Sequence, residues 1–154
     1  MNDHTRVGPI PKGVEPLAGR PKGRTLGLER RIVNINEYDL TGTADEYLEA
    51  IGALAARTER EGHPGVLAYQ FYVNRAESTA GATIVYEDAE AWVAHHELAY
   101  QWEEMPTLQA TVSLKRLTLL GPLNKAMRQW ISRAGFSFTH YDTLAAGFVR
   151  ANLA

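Results

Sequence analysis

The chain has 154 residues, 45% of them hydrophobic and 22% charged, with no cysteine and a formal net charge of −2. That length suits one domain, which buries roughly 70% of its unfolded surface and needs no disulfide or metal to fold. The missing cysteine excludes thiolate nucleophiles, Cys-ligated zinc and iron–sulfur clusters. The lack of a long apolar run or signal-peptide core makes a cytoplasmic, non-membrane protein the expectation.

Residues 1–28 read as an N-terminal arm. They hold Pro9, Pro11, Pro16 and Pro21 among several glycines and show neither helical nor strand period. Residues 1–31 carry a balance of +4, which leaves −6 for the rest. The contrast predicts a basic arm lying across an acidic partner subunit. Gly19-Arg20-Pro21 resembles an AT-hook, but it occurs once and Ala18 stands where a basic residue is usual. Nucleic acid is therefore not an expected partner.

The folded part runs over 29–154. Ile32, Val33, Ile35 and Tyr38 mark a first strand. Thr43-Ala-Asp-Glu46 is a capping box opening a helix that should stop at Gly62. Val66–Val73 and Ala82–Tyr86 are strands joined by a polar hairpin connection. Asp88 caps a helix expected to reach about Glu104, and Pro106 opens a short helical or irregular stretch. Leu117–Leu120 is the next strand; Asn124 caps a helix that Gly135 ends. A last extended segment begins at Phe136 and is read as far as Val149.

The order β-α-β-β-α-(α)-β-α-β predicts an α+β fold: a ferredoxin-like antiparallel sheet with helices on one face. Both alternating sets of Val66–Val73 are largely apolar, as in a strand covered on both faces. One sheet layer cannot do that alone. A homodimer with two sheets face to face would, leaving a cavity between sheet and helices in each subunit.

The stretch Ala82-Thr-Ile-Val-Tyr-Glu-Asp-Ala-Glu-Ala-Trp-Val-Ala-His-His-Glu97 resembles the antibiotic-biosynthesis monooxygenase family. Tyr86, Glu87-Asp88 and His95 fall on that family's strand-end aromatic, acidic turn and helix histidine. Glu61-Gly-His-Pro-Gly65 resembles the approach to its second strand. The resemblance spans about residues 29–149 and implies a dimeric α+β barrel. It also implies cofactor-independent oxygenation of a small aromatic, quinol or polyketide-like substrate by dioxygen. Redox-neutral isomerase, cyclase or lyase chemistry on the same fold, or small-molecule binding without catalysis, are the alternatives. Heme degradation in the family goes with a helix Trp followed by a His about three turns on. Trp102 occupies that distance from Trp92, which speaks against heme.

The candidate base is His95 or His96. Adjacent on a helix, they point about 100° apart. The family pattern favours His95, and the larger apolar stripe (Ala89, Trp92, Val93, Tyr100) favours His96. An ordinary imidazole near 6.5 would accept a phenol proton near neutral pH. Tyr72 and Tyr86 are candidates to orient the substrate. Tyr69, Gln70, Phe71, Trp92 and Trp102 are candidates to bind it, with Tyr72 and Gln70 sharing one strand face. No metal site and no cofactor are expected: two adjacent histidines make poor ligands, and no nucleotide or flavin motif occurs.

Overall fold

The structure is a computed structural model and describes residues 27–150. Nearly all of the basic arm, with its Gly19-Arg20-Pro21 motif and its expected docking on a partner, lies outside the described residues. A short 3-10 turn at Leu28–Arg30 leads into β1 (Ile32–Leu40), α1 (Ala44–Glu61), β2 (Val66–Asn74) and β3 (Thr79–Tyr86). There follow α2 (Ala89–Ala99), α3 (Glu104–Gln109), β4 (Val112–Leu120), α4 (Lys125–Ala134) and β5 (Thr139–Tyr141). The sheet order is β2-β3-β1-β4-β5, and the helices cover one face.

The helix starts follow local chemistry. Thr43 Oγ1 accepts from the Glu46 N–H while Glu46 returns a carboxylate to the Thr43 N–H. Asp88 and Asn124 cap α2 and α4 through the Ala91 and Met127 N–H groups. Gly135 ends α4 with φ 76°, in the left-handed region that favours glycine.

Three expectations are corrected. The helix α2 ends at Ala99 rather than near Glu104: the Gln101 and Trp102 N–H groups bond to Leu98 and Ala99, tightening the chain and turning Trp102 inward. Strand β4 starts at Val112, five residues earlier than read, because its register against β1 shifts between Glu37 and Tyr38. Lys115 and Arg116 are both exposed there, so the apolar alternation slips from Val112/Leu114 to Leu117/Leu119. The last extended segment forms only a three-residue strand, and it pairs parallel to β4. The sheet is thus mixed, with four antiparallel strands and one short parallel edge.

Within the chain β2 is an edge strand. Val66, Tyr69, Phe71 and Val73 pack inward, whereas Tyr72 is 62% exposed on the other face. Tyr69/Ile84/Asn34/Leu119 and Phe71/Ala82/Asn36/Leu117 form two successive cross-sheet rows on the inner face. On β1 the inward set is Ile32, Asn34, Asn36 and Tyr38, and Val33 and Ile35 face outward. The polar pair is inside and the β-branched pair outside. No helix among the described residues is long and apolar enough to cross a membrane.

Candidate active site

Helix α2 turns Ala89, Ala91 and Ala99 into the protein, and these small residues let it lie close to its neighbours. Trp92, His95 and His96 then reach a cavity of about 220 Å³ between sheet and helices. Its walls are Tyr69 and Phe71 of β2, Tyr86 of β3, the inward side of β1, and Met105, Leu108 and Gln109 of α3. Among the described residues that line it there is no Asp, Glu, Lys or Arg. The volume exceeds the roughly 150 Å³ that accommodates benzene in a protein core, which sets the scale at one or two rings.

Both histidines face this cavity. His96 Nδ1 lies 2.7 Å from the Trp92 carbonyl. A carbonyl only accepts, so Nδ1 carries the proton and Nε2 keeps its lone pair. The imidazole stacks on the Trp92 ring at 3.7 Å, and Trp130 stands edge-on to both. His95 is 3% exposed, its ring 5.7 Å from those of Tyr69 and Tyr86. Its Nδ1 has no partner among the described residues, and neither has the hydroxyl of fully buried Tyr86.

Burial sets the charge states. It lowers His95 to about 4, with His63 adding a little, and His96 to about 3, with His95 adding to the effect. Both are neutral at pH 7, and weaker bases than an ordinary imidazole. Burial also raises Tyr86 and Tyr69 well above the usual phenol range, so both keep their protons. The site offers neutral acceptors and neutral donors.

The inward face of β1 supplies polar groups that the sequence reading missed. Trp92 Nε1 donates to Asn34 Oδ1 at 3.0 Å, and Asn36 Nδ2 donates to the Tyr38 hydroxyl at 2.7 Å. Asn34 is 3% and Asn36 9% exposed, and both line the cavity with Tyr38, Tyr100 and Phe136. The alternation Asn34-x-Asn36-x-Tyr38 was the available signal. Val33 and Ile35 mask it, being the natural choice of core residues on that strand.

Six of the sequence candidates come together here: His95, His96, Tyr86, Tyr69, Phe71 and Trp92. Three do not. Tyr72 and Gln70 do share a strand face, but it is the one turned away from the helices, as the pleat dictates once Tyr69 and Phe71 point inward. Trp102 is buried in the apolar cluster that α1 and α3 share, with the Arg57 guanidinium 4.8 Å over its ring. Among the described residues no three His, Asp or Glu side chains form a metal-ligand set.

No protein-family model and no curated protein matches the chain. Solved structures do. MupZ from Pseudomonas fluorescens superimposes with a TM-score of 0.58 at 19% identity, covering 82% of this chain and 94% of that one. A conserved protein of unknown function from Bacteroides thetaiotaomicron, described as a possible oxidoreductase, gives 0.50 at 17% identity over 59% and 96%. SnoaB from Streptomyces nogalater, a cofactor-independent oxygenase, gives 0.47 at 17% identity over 58% and 90%. The chain shares the α+β fold of MupZ and of the Bacteroides protein.

Proposed function

We propose that the chain is a cofactor-independent monooxygenase, working as a cytoplasmic homodimer on a small, neutral aromatic, quinol or polyketide-like compound. The observation that carries this reading is the His96 imidazole: Trp92 fixes its tautomer so that Nε2 keeps its lone pair, and the ring lines a ring-sized aromatic cavity with its centre 5.9 Å from that of Tyr86. Uncharged walls favour an uncharged ligand and disfavour phosphorylated or carboxylate substrates, whose charge would meet no cation among the described lining residues.

In this reading a substrate hydroxyl gives its proton to His96 Nε2 (or to His95), and the Tyr86 O–H donates a hydrogen bond to the resulting oxyanion. Burial makes the ion pair costly. The two new charges, about 4 Å apart, recover roughly 4 kcal/mol at an effective dielectric constant near 20, equivalent to about three pKa units. The pair is therefore a transient species, drawn off by reaction. The phenolate passes one electron to dioxygen, and the radical pair combines at a ring carbon. The peroxide formed takes the imidazolium proton, then loses water together with the hydrogen of that carbon. Phenol plus dioxygen becomes quinone plus water, with the substrate supplying all the electrons.

A second reading rests on the same two imidazoles, whose ring centres are 5.3 Å apart. One could accept and the other return a proton at a different atom of one substrate, giving redox-neutral isomerisation, cyclisation or lyase chemistry. Oxygen-electrode assays with a panel of quinols and naphthols separate the two. Uptake that falls at least a hundredfold in the His95→Ala/His96→Ala double variant supports the monooxygenase. Uptake equal in wild type and variant, or none at all, refutes it. Solvent deuterium entering a carbonyl substrate without oxygen use selects the second reading.

A further inference from the structure

A buried asparagine that serves only the fold normally spends both halves of its amide on protein partners. Asn36 spends one. Its Nδ2 is taken by the Tyr38 hydroxyl at 2.7 Å, while its Oδ1 is buried with no partner among the described residues. The residue is 9% exposed and lines the cavity. Leaving such a group unpaired is unfavourable, and a ligand that donates a hydrogen bond would remove the penalty.

Position makes this a second pole. Asn34, Asn36 and Tyr38 succeed one another on the inward face of β1. Asn34 holds the Trp92 indole, on which His96 stacks, so Asn34 marks the histidine end. Asn36 lies one pleat further, about 7 Å along the strand. Small Ala82 stands opposite it on β3. The free atom is an acceptor only, so it selects a ligand donor and gives nothing to an ether or carbonyl oxygen.

We infer that Asn36, held in place by Tyr38, is a specificity-determining residue that receives a hydroxyl on the substrate edge remote from the histidines. The preferred ligands are uncharged one- or two-ring compounds with a hydroxyl on each of two opposite edges. This rests on the oxygenase reading for the chemistry at the other pole, but recognition itself can be measured without turnover.

The test compares hydroquinone, hydroquinone monomethyl ether and phenol. Their dissociation constants are read anaerobically from the imidazole C–H resonances of His95 and His96, and oxygen uptake is measured in parallel. Wild type should bind hydroquinone about tenfold more tightly than the other two, the value of one well-made buried hydrogen bond. Asn36→Leu should bring the ratio close to one without weakening phenol. Tyr38→Phe, which frees the amide to turn, should lower the ratio part of the way, and it carries the test if the leucine variant does not fold. A preference unchanged in the variant that folds, or no preference or binding in wild type, overturns the inference. A preference that Asn36→Leu abolishes, with no oxygen consumed, upholds it while the oxygenase reading falls. Oxygen consumption with equal affinity for hydroquinone and its ether does the reverse.

Discussion

At the residue scale the two histidines tie the site to stability. Unfolded, each titrates near 6.5; folded, burial holds them at about 4 and 3. Between pH 6.5 and about 4 the unfolded chain therefore binds protons that the native chain refuses. The stabilisation is fully present above 6.5 and is lost as pH falls through this window. Going from pH 7 to 5 should cost about 1–2 kcal/mol per histidine by this linkage, nearly the same for each because both folded values lie well below 5. Urea unfolding at the two pH values checks this. His95→Gln should shrink the difference, and an unchanged difference would mean that His95 is not buried neutral. The same charge states place the acid limb of kcat/KM below pH 5 rather than near 6.5, which a pH–rate profile reads directly. The histidine pair was legible in the sequence because it stands on a capped helix. Its weakened basicity was not, since that comes from Tyr69, Tyr86 and Trp130 closing over it from other elements. Asn34 and Asn36 were illegible for the opposite reason. Their strand also carries Val33 and Ile35, and a pattern of apolar and polar residues does not say which face a site will occupy.

At the element scale, boundaries set by local hydrogen bonds were readable, and those set by partners were not. Thr43, Asp88, Asn124 and Gly135 were each correctly placed from neighbouring residues alone. The start of β4 depends on a register shift against β1, and β5 exists only by pairing with β4, so neither has a local signature. The β4–α4 connection shows how tightly such junctions are held. Gly121 has φ 106°, its N–H donates to the Tyr141 carbonyl, and its own carbonyl accepts from His140 Nε2 at 2.7 Å. A Cβ there would also collide with the Arg31 carbonyl. Gly121→Ala should therefore cost more than about 2 kcal/mol through combined strain and clash. Thr43→Ala, which removes one side-chain cap, should cost only about 1 kcal/mol. Thermal melts of the two variants test the ranking, and equal losses would contradict it.

At the scale of the whole molecule, the proposed homodimer rests on the outer sheet face. An antiparallel sheet with one wet face alternates apolar inward and polar outward. Here the outward side is divided. One end carries the ion pairs Arg116–Glu37 at 3.2 Å and Lys115–Asp39 at 3.9 Å. The other carries Val33, Ile35, Val85 and Leu120, with Ile35 still 39% exposed on a central strand. The segment around Thr143–Val149 and Leu28 lines a groove with Val33, Val85 and Leu120 but not with Ile35, and itself presents Leu144 and Phe148 outward. A second copy packed sheet to sheet at about 10 Å would bury the apolar end against its own kind. Such an interface should remove about 1,200–2,000 Å² in total from water. Sedimentation should then give twice the 17.1 kDa chain mass. Ile35→Lys should shift the protein to monomer, because a charge would be buried without a partner. The described walls of the cavity lie on the helix side of the sheet, away from this patch, so the monomeric variant should keep its histidine resonances and its affinity for phenols. A wild type that sediments as a monomer at every concentration would leave those outward valines and isoleucine unexplained and the homodimer refuted. A variant that becomes monomeric and also loses the histidine environment would mean that the second sheet supports the cavity as well as covering the patch.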